Sequence, residues 1–418
     1  MYGPRPYPVY LFINGAFGLS FMLYATIASV YRIQTVGLNP LQLVLVGTAL
    51  ELAILIFEVP TGVLADTYGR RRSVIVGFLL VGAGFAFEGV LPNFAAVLTA
   101  QLIWGVGYTF VSGALQAWIA DELGGRDLGR VYLRGEQVDY LGSFVGVFAS
   151  GLLATVALNL PLLLAGAITA ALGAALALFM PERNFRPAPR EDRTSWAQMG
   201  ATARGGVRLV RTRPVLLMLL AIVVFFGMSG EGFDRLWEAH LLKDIGLPTL
   251  AGLEPVLWFG LINAGTLVLS YLVAEVLGRA LDVGNVIVAA RLLFVLNALT
   301  ILGVLAFALA GSFALALGAF WFASLTRKLF YPLHLTWVNR GLVTNVRATV
   351  ISISNQANSL GELAGGPVVG AVGTLASIRA ALATAALVLS PALLLYGRAI
   401  RQGVVEPSLE GPKDADKM

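Results

Sequence analysis

A chain of 418 residues that is 57% hydrophobic and only 13% charged carries more apolar surface than a water-facing fold can cover, and its mean hydropathy of +0.80 points to lipid as the solvent. With no cysteine and two histidines, disulfides, thiolate metal sites and thiol nucleophiles are excluded and a dedicated metal site is not expected. The net charge of +5 lies in short blocks between apolar runs, which reads as control of membrane orientation and contact with anionic lipid rather than as a nucleic-acid surface.

Runs of about 20 apolar residues, the length that crosses a bilayer, recur twelve times between Pro, Asn, Gly or charged residues. The first half predicts spans at 8–31, 40–64, 73–91, 93–119, 136–158 and 160–180. The second half predicts 214–239, 253–278, 284–310, 312–338, 348–373 and 376–397. Arg5 and the small residues Ala28 and Ser29 also give the first run the look of a signal peptide. That run is long, however, and holds Asn14. Without it eleven spans would remain, an odd number that would set the two termini on opposite sides.

In chain order, span one carries the stripe Asn14, Phe17, Phe21 and Tyr24, and span two carries Glu51 and Glu58 on one face. Glu51 is the preferred proton carrier, because desolvation favours the protonated form of a carboxyl group in an apolar cavity. Pairing with an interior cation is the alternative. The loop Gly62-Val-Leu-Ala-Asp66-Thr-Tyr-Gly69-Arg70-Arg71-Arg72 follows, then Gln101, Tyr108 and Ser112 in span four. Both termini inside places Arg70 to Arg72, Arg126, Arg130, Arg134, Arg279, Arg340, Arg347, Arg398 and Arg401 on the cytoplasmic side. Arg32, Lys243 and Arg379 remain in outer loops, as positive-inside bias requires.

Residues 181–213 hold Pro181, Pro187, Pro189 and eight arginines. They predict a cytoplasmic linker whose stretch from Ser195 to Val210 is either an interfacial helix or a solvated tether. Span seven carries Glu231, Asp234, Arg235 and Glu238 as one charged stripe, an outer-gate candidate in which Glu231 can pair with Arg235. Asn263 in span eight, Arg327 and Tyr331 in span ten and Asn358 in span eleven join Asn14, Phe21, Tyr24, Gln101 and Tyr108 as substrate-cavity candidates. Glu362 joins Glu51 and Glu58 as a proton-coupling candidate, with Arg327 or Lys328 as its expected partner. Charged groups at helix centres, Glu88 among them, cost about 2.5–3.5 kcal/mol each on insertion scales, so they must face a cavity or one another. The halves also echo each other: Trp118-Ile-Ala-Asp121 recurs as Trp337-Val-Asn-Arg340, and Gly142 and Gly146 recur as Gly361 and Gly365, each 219 residues on.

Twelve spans, a central linker and Gly62, Leu64, Asp66, Gly69, Arg70 and Arg71 between spans two and three together resemble the major facilitator superfamily, over essentially the whole chain. The resemblance implies an all-α integral membrane protein of two six-helix bundles, in which Asp66 and the arginines act as a cytoplasmic gate. Gln101 stands where many proton-coupled members have arginine. Span five shows Gly142-Ser-Phe-Val-Gly146 in place of the Gly-Pro signature of drug antiporters. The expected division is 1–180 and 214–400 as bundles, 181–213 as linker and 401–418 as tail.

The expected function is secondary transport by alternating access: proton-coupled efflux of a small hydrophobic or amphipathic compound, with proton-coupled uptake of a polar nutrient or organic anion as the alternative. A non-transporting receptor is the alternative of another class. No phosphate-binding loop, metal cluster or nucleophile with its base marks an enzyme. The expected partners are the lipid bilayer and a small-molecule substrate, with no nucleic acid and no cofactor beyond the coupling proton. The expected form is a functional monomer in the inner (cytoplasmic) membrane with both termini cytoplasmic.

Overall fold

Asparagine, serine and proline start helices where the sequence places its turns. Asn39 accepts from the Gln42 backbone N–H at 2.9 Å while the Gln42 side chain accepts from the Asn39 N–H at 3.0 Å, a reciprocal cap ahead of Pro40. Asn93 and Ser377 cap two further helices more simply, each side chain accepting one backbone N–H, from Ala96 and Ala380. The computed structural model describes residues 5–124, 128–185, 214–248, 255–280, 286–339 and 344–401. The expected linker helix within 195–210, Arg126, Arg340 and the tail from residue 402 lie outside these.

The first six spans are α1 (Pro6–Gln34), α2 (Pro40–Tyr68), α3 (Arg70–Val90), α4 (Phe94–Val111) continued by α5 (Ala114–Glu122), α6 (Leu128–Ala154) and α7 (Leu160–Phe179). The next six are α8 (Pro214–His240), extended by a π-turn at Leu241–Ile245, α9 (Pro255–Ala280), α10 (Val286–Leu309), α11 (Phe313–Asn339), α12 (Thr344–Leu375), and α13 (Ile378–Val388) continued by α14 (Ser390–Arg401). Counting each broken pair as one, ten of these are long and apolar enough to cross a bilayer. Of the other two, α9 supplies the shorter apolar stretch Leu257–Ser270, and α12 carries a polar run from Asn355 to Glu362. Among the described residues no strand occurs.

The break in α4 departs from the single run read at 93–119. Gly113 has φ +71°, a conformation that costs glycine little, and turns the chain by its far side into α5. A broken helix leaves carbonyls without their N–H partners, and in a bilayer these must be satisfied from within. The Ser73 hydroxyl of α3 donates to the Phe110 carbonyl at 2.6 Å, and the Thr61 hydroxyl of α2 donates to the Thr109 carbonyl at 3.0 Å. The last span, read as continuous over 376–397, is broken at Leu389 ahead of Pro391, which cannot supply an N–H.

Contacts divide the chain into two compact units, Met1–Trp196 with Leu247–Leu261, and Ala197–Gly246 with Ile262–Met418. In the first, α1 packs on α6 and α7, and α3 packs on α4 and α7. In the second, α8 packs on α12 and α13, and α10 packs on α11 and α13. The two patterns match helix for helix, so the glycine echo in the sequence has a structural meaning. A Cβ on Gly142 of α6 would lie 3.0 Å from Gly15 C and Leu19 N on α1, and closer still to the Gly15 carbonyl oxygen. A Cβ on Gly361 of α12 would lie 3.0 Å from the Val224 carbonyl carbon on α8, and closer still to its oxygen. Absent side chains let paired helices touch backbone to backbone.

Overpacking at such a contact costs about 1–3 kcal/mol. Gly142→Val and Gly361→Val are therefore expected to lower the thermal unfolding midpoint of detergent-purified protein. Gly318→Ala, with nothing within 4 Å of its Cβ position, is expected to leave it unchanged or raise it slightly.

Candidate functional site

The motif loop is built by one glycine and one distant carboxylate. Gly69, at φ +113°, separates α2 from α3. Its missing side chain leaves space for Glu182, whose Oε1 accepts from the Arg71 backbone N–H at 2.8 Å and caps α3. The Arg70 guanidinium donates to the Ala117 carbonyl at 2.6 Å and pairs with Asp121 of α5. Asp66, 58% exposed, lies 3.5 Å from Arg70, and Arg71 donates to the Ala177 carbonyl at 2.6 Å. Trp118 donates to Pro181 O at 2.6 Å, and Glu122 accepts the backbone N–H groups of Arg183 and Asn184. The first residues of the expected linker thus dock on the first unit. Gly62 has open space around its Cβ position.

At the other end of this unit a closed polar network replaces the expected aromatic-and-amide cavity. Glu88 of α3 is fully buried and accepts from Arg32 Nε at 2.7 Å, Arg32 Nη2 at 3.0 Å, Tyr24 Oη at 2.7 Å and Gln101 Nε2 at 2.8 Å. Tyr31 donates to the Glu88 backbone carbonyl at 3.1 Å. Tyr24, Gln101 and Arg32 are themselves buried, and Tyr24 stacks on Phe85 at 4.0 Å. Two expectations are corrected. Arg32 is not an outer-loop residue but the buried partner of Glu88 in the last turn of α1, and Tyr24 and Gln101 complete that pair instead of lining a cavity. The reason is valence: a carboxylate buried in α3 can be sheltered only by donors converging on it from α1 and α4. Asn14 donates to Tyr10 O of its own helix at 2.7 Å. Phe21 packs on Phe17 and Trp104, and Tyr108 is exposed.

The second unit does the opposite and leaves its charges around an open space. A cavity of about 330 Å³ is lined by Phe226, Phe233, Asp234 and Trp237 of α8, Asn263 and Thr266 of α9, and Phe320, Ser324, Arg327 and Lys328 of α11. Arg327, near the middle of α11, holds its guanidinium carbon 5.1 Å from the Phe233 ring centre and 5.5 Å from that of Phe226. Each cation–π contact contributes about 0.5–2 kcal/mol. Gly230 makes room for it, since a Cβ there would lie 3.1 Å from Arg327 Nη2. Trp237 stacks on Phe320 at 4.4 Å, and Gly265 lets the Trp321 indole against α9, where it donates to Ile262 O at 3.0 Å.

Arg327 donates through Nη2 to Asp234 at 2.7 Å, and this corrects the expected pairing with Glu362. The Glu362 carboxylate accepts from Asn358 at 2.7 Å one turn away on α12. Lys328 forms no ion pair or hydrogen bond among the described residues. Glu231 pairs with Arg235 at 3.0 Å, as the spacing predicts, but the charged face is not one open stripe: Glu231 and Glu238 are buried and Asp234 is 57% exposed. On α2, Glu51 is half-buried and Glu58 exposed. The Tyr331 side chain lies outside those described. Sequence reasoning found Asn263 and Arg327 but missed Phe226, Phe233, Trp237, Thr266 and Phe320. The signal was present: Phe226, Phe233 and Trp237 share one face with Asp234, and Phe320 lies seven residues before Arg327.

The sequence profile of the Major Facilitator Superfamily matches residues 10–294. The chain is 23% identical over 381 residues to an uncharacterized MFS-type transporter, YxaM, of Bacillus subtilis (strain 168), covering 91% of this chain and 92% of that protein. Among solved structures, the nucleoside transporter NupG superposes with a TM-score of 0.74 at 13% identity, over 95% of this chain and 99% of that chain. A peptide transporter, POT, superposes with a TM-score of 0.72 at 16% identity, over 96% and 95%. At such identities the structural likeness speaks for the fold alone.

Removing one partner of a buried ion pair costs about 3–5 kcal/mol, because the other charge is left uncompensated. Arg32→Met is therefore expected to depress the unfolding midpoint strongly, and the double variant Arg32→Met with Glu88→Gln to recover much of the loss. Additive effects across this thermal double-mutant cycle would remove the network from the account of stability.

Proposed function

The chain belongs to the major facilitator superfamily and is a multi-pass membrane transporter rather than an enzyme, and from that premise we propose that it moves a small amphipathic organic anion by alternating access, coupled to protons. The observation that carries this reading is the Lys328 ammonium, which forms no hydrogen bond or ion pair among the described residues, beside Arg327 in an aromatic-lined cavity. A lysine held within a membrane-spanning helix costs about 2.5–3.5 kcal/mol on insertion scales, so its retention speaks for a ligand. The cavity volume is near the lower end of the roughly 300–1,000 Å³ of ligand pockets, which suits a single-ring compound. Phe226, Phe233, Trp237 and Phe320 supply flat apolar walls, while Asn263, Ser324 and Thr266 offer hydrogen bonds.

Charge also bears on direction. An anion leaving a cell with a negative interior moves down the potential, whereas entry costs about 2.3 kcal/mol per charge per 100 mV. One accompanying proton cancels that term, so proton coupling is most useful for uptake. Uptake by symport is accordingly the reading placed first here, and the export expected from the sequence is the second. Glu51 on α2 and Glu362 on α12 are the proposed proton carriers, both half-buried on membrane-spanning helices.

Purified protein in vesicles is expected to accumulate labelled single-ring carboxylates such as benzoate and phenylacetate, above the passive trapping of these weak acids in protein-free vesicles, when the outside is made acidic. Acid inside driving the same accumulation would reverse the direction, and movement indifferent to the gradient would make the protein a facilitator. Glu51→Gln and Glu362→Gln are expected to abolish gradient-driven accumulation while sparing counterflow, and unaltered accumulation in both would remove them as carriers. Lys328→Gln is expected to lower both activities at least about tenfold, the loss of one charge-assisted contact.

A further inference from the structure

The ion pair inside the cavity assigns Asp234 a further part. We propose that Asp234 is a built-in competitor: it occupies on Arg327 the place that the carboxylate of the cargo takes, and it sets the site to accept one negative charge. The inference rests on the reading of this cavity as an anion site and says which anions enter.

The two partners are unequally held. Arg327 is 11% exposed, flanked by the Phe226 and Phe233 rings and fitted against Gly230. Asp234 is 57% exposed and reaches Arg327 from the opposite helix with one oxygen at 2.7 Å. The guanidinium is therefore the fixed element and the carboxylate the one free to swing into solvent. A planar fork with five N–H donors suits a second carboxylate as well as the first, and no other hydrogen bond of Arg327 is formed among the described residues. Neighbouring Lys328 supplies a second cation, within the electrostatic reach of the same Asp234 and without a hydrogen bond among the described residues.

Counting charges on the cavity wall gives Arg327 and Lys328 as +2 and Asp234 as −1, a net +1. The adjacent Glu231–Arg235 pair, with Glu231 buried, cancels itself. A monoanion brings the site to neutrality. A neutral analogue leaves +1, and a dianion leaves −1 beside a displaced Asp234. Unbalanced charge in a low-dielectric, lipid-surrounded site is penalised in both directions, so selection for a single carboxylate follows from Asp234 being present.

Equilibrium binding of benzamide, benzoate and phthalate to the purified full-length protein tests this, with Asp234→Asn and Asp234→Glu as variants. The wild type is expected to prefer benzoate over both others. Asp234→Asn removes the competitor and raises the wall to +2. It is expected to bind benzoate roughly two- to five-fold tighter, the worth of one half-exposed ion pair, and to bind phthalate tighter than benzoate. Asp234→Glu keeps the charge and is expected to keep the wild-type order. A weaker benzoate affinity in Asp234→Asn, or an unchanged order of the three ligands, overturns the competitor role while leaving the anion site standing. Wild-type protein that fails to favour benzoate over benzamide overturns the anion reading itself, and the competitor with it.

Discussion

A charge carried into a bilayer must be answered from inside the protein, and the structure depends on how each unit meets that demand. Hydrocarbon offers no hydrogen bonds, so each guanidinium or carboxylate on a membrane-spanning helix either finds a partner on a neighbouring helix or faces a wet space. The first unit takes the former course. Glu88 is wrapped by Arg32, Tyr24 and Gln101 from two other helices, and little remains for a ligand to satisfy. The second unit takes the latter course, with Asp234 half open, Arg327 sandwiched between rings and Lys328 facing the cavity. One unit spends its buried charges on a closed network, and the other leaves Arg327, Asp234 and Lys328 around a cavity.

This asymmetry sits on a scaffold that repeats. The glycine pairs of α6 and α12 bring each of these helices against the first helix of its own unit at backbone distance. Each unit also ties the end of its first helix to its third span by polar groups. In the first, Arg32 of α1 reaches Glu88 of α3. In the second, His240 of α8 has Nδ1 2.8 Å from Asp244 in the π-turn and Nε2 3.1 Å from Phe307 O of α10. The same positions do the same mechanical work with different chemistry. Duplicated architecture therefore does not imply duplicated sites, because small differences in side chains decide which end closes and which cavity stays open.

The motif loop shows how local and distant parts cooperate. Gly69 provides the backbone turn, but Glu182, more than a hundred residues later, caps the helix that the turn begins. Arg70 and Arg71 are committed to the carbonyls of Ala117 and Ala177, so both arginines brace α5 and α7 of their own unit. Trp118 and Glu122 hold the chain leaving α7 by its backbone. The cluster of positive charge in the loop is thus structural.

Read as sequence, the chain determined its solvent, its helical class, its twelve spans, all but the fifth within a few residues, and the repeated glycines. All of these follow from composition and local periodicity, to which each residue contributes through its own chemistry and its neighbours along one helix. The Glu231–Arg235 pair belongs to the same category, since four residues make one turn. Tertiary structure alone decided which charges meet: Arg32 with Glu88, Arg327 with Asp234 in place of Glu362, and Tyr24 and Gln101 inside a network in place of a cavity. It also chose which aromatic rings gather around Arg327 and where α4 can break, because Ser73 and Thr61 wait on other helices to satisfy the freed carbonyls. The physical reason is that a side chain's partner across a helix bundle is set by the rotation and depth of two separate helices. No spacing within either helix records that relation.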